Sequence, residues 1–152
     1  MFTLARRYVK TALTFFTAGL LLGMWILLEM AMGPSRPLAP LISAHTHLLL
    51  YGFVIILIMG VAYWMFPRPA KEDLRYSPRM AEINYWLATA GTAIRTTGEL
   101  GEYILPPWWV WKALVFAGSL LQTLGGLVFA WNIWSRIRPI GSQFREAKGD
   151  KF

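Results

Sequence analysis

Four apolar stretches, at about 11–32, 41–66, 82–105 and 108–134, dominate the chain. The segments between them, MGPSRPLAP, PRPAKEDLRYSPR and ILPPWW, carry prolines that stop helices. At about 1.5 Å of rise per residue, each stretch can cross roughly 30 Å of hydrocarbon. The pattern predicts an all-α protein, a four-helix transmembrane bundle that forms a single integral membrane domain over residues 1–152. The third stretch contains Arg95, Glu99 and Glu102, so hydropathy ranks it lowest. It is kept because the charge pattern demands an even number of spans.

Three Lys or Arg precede the first span, four lie between the second and third, and five follow the fourth, whereas the other two loops hold only Arg36. The positive-inside rule then predicts an N-in/C-in topology with the 67–81 loop in the cytoplasm. Trp25, Trp108, Trp109 and Trp111 on the outer side, and Trp64, Trp131 and Trp134 on the inner side, fit two interfacial belts. The composition, 56% hydrophobic and 15% charged, agrees with a lipid-embedded chain. The net charge of +7 sits at helix ends, which argues against nucleic acid as a partner and for the lipid bilayer. The basic start, MFTLARRYVK, leads into an apolar run too long for a signal peptide, so a retained first span is expected. Without cysteine the chain has no disulfide, thiolate or cysteine-based metal chemistry. Glycines fall in pairs inside the spans (Gly19 and Gly23, Gly52 and Gly60, Gly91 and Gly98, Gly118 and Gly125), at spacings that suit close helix packing in lipid or room for a flat cofactor.

Ionisable groups within the spans concentrate toward one side. His45 and His47 lie about 6 and 9 Å below the outer end of span 2, and Glu102, Glu99 and Arg95 about 5, 9 and 15 Å below that of span 3. Glu29 and Lys112 lie about 5 and 6 Å deep. Charge in hydrocarbon is costly, so this clustering points to a site or to an internal ion pair. Arg95, Glu99 and Glu102 share one face of span 3, and Arg95 is expected to be buried against Glu99 or a cofactor carboxylate. His45 and His47 point about 200° apart on a helix, so each must serve a different neighbour. Glu99 and Glu102 are the candidate catalytic proton carriers.

The stretch AHTHLLLYGFVIILIMGVAYWMFPRP reads H-x-H-x4-G-x7-G-x2-Y-x3-P-R. It resembles the tenth transmembrane helix of the catalytic subunit of haem-copper oxidases, most of all the cytochrome cbb-class oxidases and the related nitric oxide reductases. NYWLATAG resembles the start of that subunit's next helix, and GGLVFAWNIWSRIRP the end of its last, so the likeness runs over roughly residues 41–138. The resemblance implies that His45 is the proximal ligand of a high-spin haem and His47 a ligand of a low-spin haem. Arg95 and Lys112 would partner haem propionates by charge and depth. Gly52, on the face of His45, would leave space for the ring edge. The further histidines that the family uses for copper and for its second low-spin ligand are absent from this sequence. A complete oxygen-reducing oxidase is therefore not expected of this chain alone, and copper is disfavoured.

The leading expectation is a haem b protein of a bacterial or archaeal cytoplasmic membrane. It would bind a diatomic gas such as NO or O2, or transfer electrons, near the outer surface, as a homo-oligomer because four helices are too few to enclose a macrocycle. One alternative is a quinol- or NO-reactive oxidoreductase served by an external electron donor. Another is a cofactor-free accessory or assembly subunit of a respiratory complex.

Overall fold

The computed structural model describes residues 2–66, 77–134, 136, 137 and 148. Helix α1 spans Phe2–Met32, α2 spans Ala39–Met65, α3 spans Pro78–Ile104 and α4 spans Trp109–Trp134. The protein is thus all-α with four helices among its described residues. Thr3–Met32, Ala39–Met65 and Trp109–Trp134 are long and apolar enough to cross a membrane. Helix boundaries follow local chemistry. Gly33, in the left-handed region at φ 84°, ends α1, and prolines in the first turn open α2 and α3, where a missing N–H costs nothing. The helix of α1 begins well before the apolar run, because the basic segment 3–10 contains neither Gly nor Pro to break it. Most of the 67–81 loop, and the C-terminal segment apart from the residues named above, lie outside the described residues.

Helix α2 is not uniform. Ala39–His47 is α-helical, Leu48–Ile55 winds as a π-helix, and Ile56–Met65 returns to α-helix. The eight-residue π segment starts immediately after His47, and such i→i+5 winding is rare and frequently found at functional sites.

The helices run alternately up and down, so that α1 starts and α4 finishes at one end (the basal end) and the reverse holds at the other (the apical end). They form an arc rather than a closed bundle. α3 and α4 share the most extensive interface, α2 joins α1 to α3, and α1 and α4 make no direct helix contact among the described residues. The α3–α4 interface is close because glycines line it. A Cβ on Gly91 would lie 2.8 Å from the Gln122 backbone nitrogen, and one on Gly98 would lie 2.8 Å from the Trp111 carbonyl oxygen. The glycine faces expected from spacing are therefore packing faces, as lipid-embedded helices require.

Helix α3 carries the charges yet is the most thoroughly buried of the four, with Asn84, Thr92, Thr96 and Glu99 facing inward. Two apolar clusters flank it. The basal one is built on Tyr8, Ile56, Tyr63 and Tyr85, and the apical one on Leu22, Ile26, Leu41 and Tyr103.

Candidate functional site

The apical polar cluster grows from three helices. On α3, Arg95 and Glu99 stand one turn apart, and Arg95 Nε meets Glu99 Oε1 at 3.0 Å, the pairing expected from their spacing. On α2, Ser43 Oγ donates to the same oxygen at 2.6 Å, and His47 Nδ1 lies 3.6 Å from it. From α4, Ser119 Oγ accepts from Arg95 Nη1 at 2.9 Å. Glu99 is nearly sealed, with 4% of its side chain exposed, against 20% for Arg95 and 27% for His47. Its Oε2 is buried with no hydrogen-bond partner among the described residues. Arg95 balances the charge at Oε1, while the bare Oε2 forgoes a hydrogen bond, a cost for a buried acceptor.

The two histidines diverge, as their spacing predicts. His45 leans on α1, where its Nδ1 lies 2.9 Å from the Gly19 carbonyl, and its ring lies against Gly23, where a Cβ would come within 2.8 Å of Cε1. His47 turns toward α3, with Nδ1 2.9 Å from the Ser43 carbonyl. A carbonyl oxygen only accepts, so in each ring Nδ1 carries a proton, and in the neutral ring Nε2 then holds the lone pair. This is the tautomer that presents Nε2 to a metal while a backbone acceptor fixes the ring.

The remaining candidates separate from this cluster. Glu102 and Lys112 line an apical cleft of about 770 Å³ together with Arg36, Tyr103 and the tryptophans Trp108, Trp109 and Trp111. Arg36 Nη1 donates to the carbonyls of Tyr103 and Leu105 at 2.6 and 3.3 Å, holding the α1–α2 connection over α3. Glu29 accepts from Trp25 Nε1 at 3.0 Å.

The open slot expected at Gly52 is corrected by the packing. A Cβ there would meet Phe15 of α1 at 2.9 Å and Thr92 of α3 at 3.1 Å, so the missing side chain admits neighbouring helices rather than a ring edge. The π winding between His47 and Gly52 also breaks the α-helical register that placed Gly52 on the face of His45.

A second polar network, to which sequence reasoning assigned no role, closes the basal end. Tyr63 Oη accepts from Asn84 Nδ2 of α3 and Asn132 Nδ2 of α4, both at 3.3 Å. Asn132 Oδ1 accepts from the backbone nitrogen of Ser77 at 2.9 Å, just before α3 begins. Arg136, counted above as a cytoplasmic loop charge, is instead 1% exposed. Its Nη2 donates to the carbonyls of Tyr63, at 3.0 Å, and Phe66, where α2 ends. The available signal was an asparagine inside each of two apolar stretches, since an amide in hydrocarbon demands a partner. Ser43 and Ser119 were missed for a similar reason: small hydroxyls look unremarkable until a facing charge is known.

Among the described residues no group of three or more His, Cys, Asp or Glu could hold a metal ion. None of the clefts described here borders either histidine. Compared with known proteins, the chain matches the family described as cytochrome c and quinol oxidase polypeptide I over residues 3–145. No solved structure matches it.

Proposed function

The chain belongs to the cytochrome c and quinol oxidase polypeptide I family and is a multi-pass integral membrane protein, and on that premise we propose that it binds haem b through His45 or His47 near the outer membrane surface. The observation that carries this reading is the pair of imidazoles whose Nδ1 protons are held by the Gly19 and Ser43 carbonyls, leaving Nε2 of each available to iron. A haem held there would supply an iron able to bind NO, CO or O2, or a one-electron couple.

The surrounding residues orient and balance the ligands. Gly23 lets the His45 ring lie against α1, while Ser43 and Glu99 hold His47 from the other side. Arg95 neutralises Glu99, and Lys112 supplies positive charge at the apical cleft for propionates. The flat side of the ring needs a wall that this open arc does not supply, which favours a homo-oligomer. Copper plays no part in this reading.

In the proposed topology all four helices cross the bilayer, α3 included, with both termini in the cytoplasm. A reporter fused after Phe152 should be active only in its cytoplasmic form, and periplasmic activity would overturn the orientation.

Alanine variants test the ligand assignment. His45→Ala should abolish the CO- or NO-sensitive part of the absorption spectrum, and His47→Ala should remove only a low-spin, ligand-insensitive component. Loss of all haem from His47→Ala, with CO binding intact in His45→Ala, would transfer the site to the His47 face. A second reading, a quinol- or NO-reactive oxidoreductase drawing on an external electron donor, is favoured by the bare, buried Oε2 of Glu99, which suits a carboxyl that takes up and releases protons; Glu102, in the apical cleft, is the alternative carrier. Turnover by the purified protein, lost in Glu99→Gln, would establish it over simple gas binding.

A further inference from the structure

At the basal end, where α1 and α2 pack closely at Gly60, their outward faces leave a surface groove of about 560 Å³ lined by Ala5, Arg6, Val9, Lys10, Gly60, Val61 and Trp64. Arg6 and Lys10, one turn apart on α1, stand exposed at its rim and have no carboxylate within salt-bridge distance among the described residues. Their neighbour Arg7 differs. It turns toward α3 and meets Glu82 at 3.4 Å. The basic segment is thus sorted by helix geometry into one cation matched by protein and two that face a hydrocarbon-floored groove.

Trp64, 62% exposed, stands at the same groove with its ring toward the surroundings, as interfacial tryptophans do. Cations above, an apolar trough below and an amphipathic ring beside them form one pattern of recognition. A soluble anion would use the cations and leave the trough empty. A zwitterionic lipid would use the trough but bring its own ammonium group beside the two cations.

We propose that this groove is a seat for an anionic phospholipid, whose phosphate is held by Arg6 and Lys10 and whose acyl chain lies along Ala5, Val9, Gly60 and Val61. The site is independent of the haem reading. Basic pockets between membrane helices bind anionic headgroups in this way, and each basic residue near the surface strengthens the attraction several-fold.

Native mass spectrometry of the full chain, released from a neutral detergent with added phosphatidylglycerol or phosphatidylcholine, tests it. Phosphatidylglycerol should be retained over phosphatidylcholine, and the double variant Arg6→Gln/Lys10→Gln should weaken its retention by about 20- to 30-fold. Arg7→Gln, which removes one positive charge outside the groove, should change retention little. Val61→Trp, which fills the trough and keeps both cations, should also weaken it. Circular dichroism checks that each variant keeps its helices. Equal retention of the two lipids, an equal loss in Arg7→Gln, full retention in Val61→Trp, or displacement by millimolar inorganic phosphate would each overturn the proposal.

Discussion

Replacing Arg95 by leucine should destabilise the protein by about 3–5 kcal/mol, the usual consequence of removing one partner from a buried ion pair. The change leaves Glu99, 4% exposed, with Ser43 as its one remaining hydrogen-bond donor and without the guanidinium that balanced its charge. It also strips Ser119 of its partner on α3. In thermal unfolding of the detergent-solubilised protein, that energy corresponds to a midpoint lower by roughly 6–20 °C for a chain of this size. The double variant Arg95→Leu/Glu99→Leu should recover much of the loss, since an apolar pair of similar volume replaces the charges together. A single variant as stable as the wild type would mean that Arg95 reaches to the membrane surface and holds nothing.

Two glycine-to-alanine changes, eight residues apart on α4, should have opposite signs. A Cβ on Gly118 would fall 2.5 Å from the backbone nitrogen of Arg95 and 2.7 Å from its Cα, atoms that cannot swing aside. The α3–α4 interface must then open, at a cost of about 1–3 kcal/mol or more. It would also pull apart Arg95 and Ser119. At Gly126 nothing lies within 4 Å of the added atom. Gly126→Ala should therefore stabilise the helix by about 0.5–1 kcal/mol through reduced backbone freedom in the unfolded chain. Equal effects at the two positions, read from the same thermal unfolding, would contradict the close approach of α3 and α4.

These contrasts show why some of the molecule was legible in its sequence. Apolar runs and prolines mark the four helices because lipid and a missing N–H each act locally. Arg95 and Glu99 are paired by a spacing within one helix, and the divergence of His45 and His47 follows from helical rotation alone. The surroundings of Gly52 are different. Phe15 and Thr92 reach it from α1 and α3, so no local pattern predicts that its space is filled. The π winding after His47 leaves no compositional trace in LLLYGFVI, an ordinary apolar run.

Arg136 illustrates the limit of counting charges. By composition it belongs to a basic cytoplasmic tail, but the exposed carbonyls at the end of α2 draw it into the interior. It still lies at the basal end, so the charge asymmetry along the chain survives. The arc of helices was equally hidden, since an apolar face that meets lipid and one that meets another helix look alike in sequence.

The account turns on haem held by a histidine of α2. The most direct measurement is the reduced-minus-oxidised absorption spectrum of the full chain, produced with ample haem precursor, purified in detergent, and recorded with and without CO. It should show the bands of a b-type haem, with a fraction that shifts on adding CO and disappears in the His45→Ala variant. A folded, colourless protein that takes up no haem under these conditions would contradict it.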